Sequence, residues 1–107
     1  MNTYNVVVKE PFMNCKNIFP IQQRKVQALI EHLRDNKDVK SIIVFGSSVT
    51  DRCHVGSDVD IYVNLDKDSK LITKFFPFTF DLWTNFSVDE TLKQEIYKKG
   101  VVVYERK

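Results

Sequence analysis

Cysteine, glycine and proline are all scarce in this chain: two, three and three residues among 107. The two thiols, Cys15 and Cys53, show no CxxC spacing and have no histidine cluster beside them. That argues against a zinc site and against a disulfide framework, and it implies a reduced, intracellular protein. So few Gly and Pro leave little room for long flexible linkers. No apolar run approaches the roughly 20 residues that a membrane-spanning helix needs. Met1–Asn5 lacks the basic-then-apolar pattern of a secretory signal, so the cytoplasm is the expected compartment. Net charge is nearly absent as well. A formal +2 is too small for a nucleic-acid-coating surface, and direct nucleic-acid binding is not expected.

What is present is an ordinary globular composition, 43% apolar and 28% charged. One domain over residues 1–107 is expected, with residues 1–19 its least defined part. Val6–Val8 has the composition of a short edge strand. Val26, Leu29, Ile30 and Leu33 recur at helical spacing, and Pro20 suits a helix start. The pattern predicts a helix from about Ile21 to Arg34 or Asp35, with His32 on its polar side.

Ile42–Phe45 is apolar on both parities and ends at Gly46, as a strand buried on both faces does. Asp58–Leu65 alternates instead. Val59, Ile61, Val63 and Leu65 share one face, and Asp58, Asp60, Tyr62 and Asn64 share the other. Phe75–Trp83 suits a third strand. Ser87-Val88-Asp89-Glu90 has the form of a capping box opening a second helix. Gly100 is placed to stop that helix, and Val101–Tyr104 closes as a strand. The order helix, strand, strand, strand, helix, strand predicts a small α/β or α+β domain, a mixed β-sheet flanked by helices.

The chemistry concentrates between residues 46 and 60. Asp58 and Asp60, two apart on a strand, place two carboxylates on one face, where they repel each other unless a divalent cation lies between them. Hard oxygen ligands of this kind select Mg²⁺ or Mn²⁺, which commonly add substrate phosphate oxygens. Upstream, a buried strand ends in Gly46-Ser47. A glycine there lets the backbone turn sharply toward a ligand, and unpaired N–H groups with a hydroxyl make a phosphate cradle. Asp81 interrupts the apolar run 75–83, with Phe78, Phe80 and Leu82 on one face and Thr79, Asp81 and Trp83 on the other.

Gly46-Ser47, ten intervening residues and Asp58-Val59-Asp60 together resemble the signature of the nucleotidyltransferase superfamily related to DNA polymerase β. The resemblance implies the polymerase β-like nucleotidyltransferase fold and an enzyme that moves a nucleoside monophosphate from a triphosphate to an acceptor hydroxyl. It implies Asp58, Asp60 and Asp81 as metal ligands and catalytic residues, with Asp81 at the metal nearer the acceptor. It assigns the nucleotide to Gly46, Ser47, Ser48, Arg52 and Ser57, with Mg²⁺ or Mn²⁺ as cofactor and ATP as the expected donor. Trp83 and Tyr62 share faces with the carboxylates and are candidates for stacking on a base.

A chain this short resembles the minimal members of that superfamily. Such members are often paired with a small all-helical protein of the HEPN class and act as antitoxins by transferring AMP to it. Three alternatives stand beside this reading: a non-catalytic antitoxin that neutralises its partner by contact, a transferase for small molecules, and a nucleic-acid-modifying transferase, against which the weak net charge argues. The exposed faces of the first helix and of Val6–Val8 are candidate surfaces for a partner or a second copy.

Overall fold

A computed structural model describes residues 2–71 and 76–107. Two helices, α1 (Pro20–Leu33) and α2 (Glu90–Lys99), pack with four strands, β1 (Val39–Phe45), β2 (Val59–Leu65), β3 (Phe80–Thr84) and β4 (Val101–Glu105). The strands form one sheet in the order β3-β2-β1-β4. β1 is antiparallel to both β2 and β4, whereas β3 runs parallel to β2. The fold is therefore α+β around a mixed sheet. No helix among the described residues is long and apolar enough to cross a membrane.

The two helices lie against opposite faces. On one, Val26, Leu29, Ile30 and Leu33 of α1 pack on Ile42, Val44, Val59, Ile61, Val63 and Leu65. On the other, Ile96 of α2 packs with Ile43, Phe45 and Tyr62, and Leu92, Trp83 and Val102 add to that cluster. Four buried aliphatic side chains at about 1.5–3 kcal/mol each hold α1, against one fully buried side chain on α2. α2 is thus the more weakly held helix. Ile96→Ala should cost about 3 kcal/mol, read as a lower urea midpoint.

The second core corrects the alternation argument. Tyr62 lies on the face that pairs it with Asp60 and Asn64, yet it is completely buried, with Tyr97 edge-on at 5.8 Å. The face expected to be polar is an interior one wherever α2 covers it, and Tyr62 has no surface on which a base could stack.

Several element boundaries also differ. Val6–Val8 forms no strand; Val7 donates its N–H to Gln23 Oε1 at 2.8 Å, so the segment is tied to α1 rather than to the sheet. β1 begins three residues before Ile42, and Asp58 stands just outside β2. The third strand starts at Phe80 and runs on to Thr84; Phe76–Thr79 precede it without strand pairing, and Phe75 lies outside the described residues.

α2 is capped by Asp89, whose carboxylate accepts from Leu92 N–H at 2.7 Å. Ser87 is not the cap because its hydroxyl accepts from Thr84 N–H at 2.9 Å and closes the preceding turn. Gly100 does end α2, but at an ordinary φ of −75°. Its need is close packing, since a Cβ there would run into Ile43 Cγ2 and the Ile96 carbonyl. His32 is half-buried, edge-on to Phe76 at 5.9 Å, rather than solvent-facing.

Candidate active site

Three strand ends meet where the α2-covered face runs out. β1 finishes at Phe45, which pairs with Asp60, and Asp60 in turn pairs with Asp81 across the parallel β2–β3 ladder. Paired residues on neighbouring strands share a face and lie about 4.8 Å apart. Asp58 stands one step before β2, and its carboxylate accepts a hydrogen bond from Thr79 Oγ1. The backbone beside it is fixed by Val59 N–H, which donates to the Thr79 carbonyl at 3.2 Å. Asp58 and Asp81 are exposed, and Asp60 is half-buried between them.

The electrostatics follow from that placement. Burial first, then the charges of Asp81 and Asp58, push the Asp60 carboxyl from 3.8 up to about 6. No basic side chain offsets those three causes. The donor set is all carboxylate oxygen, the kind that a hard divalent cation prefers, and a cation there would relieve the repulsion. Among the described residues, no group of three or more His, Cys, Asp or Glu is arranged to hold a metal ion by itself. An ion held at these carboxylates would need further oxygen ligands, such as water or a substrate phosphate.

Gly46 completes the geometry. It opens the 3₁₀ turn Gly46–Val49 with φ of +74°, in the left-handed region that glycine enters without penalty. A Cβ at this position would overlap Asp60 Oδ2 and come within 3.2 Å of its Cγ. The turn can therefore touch the central carboxylate only because residue 46 has no side chain. Thr50 N–H donates back to the Ser47 carbonyl at 3.1 Å and ends the turn.

Of the remaining residues that the motif singles out, Ser47 and Arg52 line a recess of about 340 Å³ beside Gly46, bounded on the α2 side by Glu95 and Lys99. Ser48 and Ser57 turn inward. Ser48 is fully buried with its hydroxyl 3.2 Å from Gln22 Nε2, and the Ser57 hydroxyl accepts from His54 N–H at 3.0 Å inside the loop. A larger recess of about 530 Å³ lies between Thr3–Asn5 and Phe19–Pro20, lined by none of the three carboxylates.

Sequence reasoning missed three side chains here. Gln22, on α1, donates to the Ser57 carbonyl at 3.0 Å as well as to Ser48. Its signal was present, because it sits four residues before Val26 on the apolar stripe, where a polar side chain needs a partner. Thr79 shares the parity of Asp81. Lys99, paired with Glu95 at 2.9 Å, has no local signal at all, since only the packing of α2 brings it to the recess.

The family profile described as polymerase beta, nucleotidyltransferase, matches residues 27–107. A search of curated proteins returned no match. The matched region spans the whole sheet, α2, the second half of α1 and all three carboxylates. With the glycine turn set against an acidic strand pair and the profile covering most of its length, the chain belongs to the polymerase β-type nucleotidyltransferase family.

Proposed function

We propose that this protein is a metal-dependent nucleotidyltransferase that moves AMP from ATP to a hydroxyl on a partner protein, and so acts as an antitoxin. Nucleotidyl transfer in general follows from the family. The single observation that carries the finer reading is the contiguity of Asp60 with both Gly46 and Asp81. That contiguity of the glycine turn with the acidic residues supports reading the turn as a phosphate cradle and the carboxylates as a metal site.

In this reading the Gly46-Ser47 turn receives the triphosphate, and Arg52 and Lys99 supply positive charge along the recess. Ser48 and Ser57 hold the loop from inside instead of touching nucleotide. Asp58, Asp60 and Asp81 would hold Mg²⁺ or Mn²⁺. A bound ion would supply Lewis-acid stabilisation of the charge that develops on the phosphates during transfer. The acceptor oxygen forms a bond to the α-phosphorus as the bond to pyrophosphate breaks, and Asp81 takes the hydroxyl proton. Asp58 and Asp81 face solvent. An acceptor as large as a protein can therefore reach them, which favours a hydroxyl on a HEPN-type helical partner over an enclosed small-molecule site.

The test begins with thermal denaturation in each of the four nucleoside triphosphates, with Mg²⁺ or with EDTA. ATP with Mg²⁺ at about 100 times its Kd should raise Tm on the order of 10 °C, and EDTA should cancel the gain. Labelled AMP from α-labelled ATP should then appear on a HEPN-class protein. No stabilisation by any triphosphate would sink the reading.

A further inference from the structure

We propose that Gln22 is a positioning residue that locks the phosphate-binding turn and the acidic strand into one unit. The proposal rests on the transferase reading for its consequence in turnover, but its structural half stands on geometry alone. Gln22 is completely buried, and its amide nitrogen faces acceptors from both halves of the motif. These are Ser48 Oγ at 3.2 Å, the Ser57 carbonyl at 3.0 Å and, further off, the Asp58 carbonyl at 3.4 Å. Carbonyl oxygens only accept, so the end of the side chain toward Ser57 and Asp58 must be the NH₂.

The place matters because the strand ladder has ended there. Phe45 and Asp60 are the last β1–β2 partners, and residues 48 and 57–58 lie beyond them. The loop between is held mainly to itself, through Cys53 N–H to the Thr50 carbonyl and Ser57 N–H to the His54 carbonyl. Gln22 spans the gap from outside, anchored on α1. Its helix adds a second tie at the same point, as Phe19 N–H donates to the Ser48 carbonyl at 2.8 Å. Among the described residues Gln22 Oε1 has no hydrogen-bond partner, whereas its NH₂ faces the three acceptors above. The Thr79 hydroxyl aims the Asp58 carboxylate, and Gln22 sets the backbone from which that carboxylate springs.

Its neighbour provides the control. Gln23 is equally buried and fully bonded, to the Asn5 and Ile18 carbonyls and to Val7 N–H, and none of these hydrogen bonds reaches the motif. Gln22→Met and Gln23→Met are therefore similar losses of a buried amide with different addresses. In the metal-free protein, Gln22→Met should speed amide hydrogen exchange at Ser57 and Val59 by about tenfold or more, and Gln23→Met should do so at Val7 alone. In transfer assays, Gln22→Met should lower kcat about 10- to 100-fold, as expected for a displaced reacting group, with KM for ATP moving less than threefold. Gln23→Met should keep its kcat.

Exchange at Ser57 and Val59 that is unchanged in Gln22→Met overturns the proposal whether or not the chain is a transferase. Equal loss of kcat in both variants also overturns it, because it would reduce Gln22 to a general structural role. If Gln22→Met does not fold, Ser48→Ala, which removes one of the two nearer acceptors, should still speed exchange at Ser57, and no change there counts against the proposal. Absence of transfer by the natural chain, with the exchange effect intact, would overturn the proposed activity and leave the clamp standing.

Discussion

In EDTA at pH 8, Asp60→Asn should unfold at a higher temperature than the natural chain, while its transfer activity falls on the order of 10³-fold. The carboxyl of Asp60 is pushed up to about 6 in the folded protein from an ordinary 3.8, by burial and by Asp81 and Asp58. The folded state therefore holds its proton more tightly than the unfolded chain does. The stability associated with that proton is complete below about pH 4 and is lost as pH rises through about 6. Above that, the ionised side chain is a net cost. Each pKa unit corresponds to about 1.4 kcal/mol, and since the group is only half-buried, screening by solvent leaves a gain on the order of 1–2 kcal/mol for the neutral isostere.

For a chain of this size that is roughly 5–10 °C in Tm. At pH 4 the two proteins should unfold within about 2 °C of each other, because both then carry a neutral side chain. Mg²⁺ with ATP should stabilise the natural chain and leave the variant nearly unchanged. Thermal denaturation at the two pH values, with and without metal, checks all of this. A variant less stable than the natural protein at pH 8 would show that the acidic centre is not a site of stored repulsion.

Gly46→Ala is the second large effect, and it acts on the same carboxylate from the other side. An alanine at φ of +74° costs about 1–2 kcal/mol in backbone strain, and its Cβ overlaps Asp60 Oδ2. The carboxylate must rotate away or the turn must open. Either movement separates the glycine turn from the acidic strand, and the proposed transfer should fall about 100-fold or more. The steric part is separable by a double-mutant cycle. In an Asp60→Ala background, Gly46→Ala should lose only the backbone strain, giving a coupling of about 1 kcal/mol or more in urea denaturation. Simple additivity of the two substitutions would disprove the contact as the reason for glycine.

The sequence already held the local half of this site. Gly46-Ser47 at the end of an apolar run and Asp58-Val59-Asp60 at the start of an alternating one are read from spacing, because strand parity assigns faces without knowledge of neighbours. The interruption of an aromatic run by Asp81 is legible for the same reason, and so are both helices. Boundaries fared worse where two local bonding choices compete. Ser87 and Asp89 are both good caps by type, and the choice between them turned on Thr84 N–H engaging Ser87 first. Ser48 looks the same in sequence whether it faces a ligand or, as it does, the inside of α1.

Tertiary structure alone decided which strands lie side by side. Parity says that Asp60 and Asp81 each face away from the α1 core. Only the parallel docking of β3 on β2 makes them partners, and only the docking of α2 turns the rest of their face into a second core. Those choices depend on total burial and on closing the long connection over residues 66–79, which no short window of residues encodes. The same holds for Gln22. Its place on an apolar stripe announces that it needs a partner, but its partners lie 26 to 36 residues away, and only folding brings them to it.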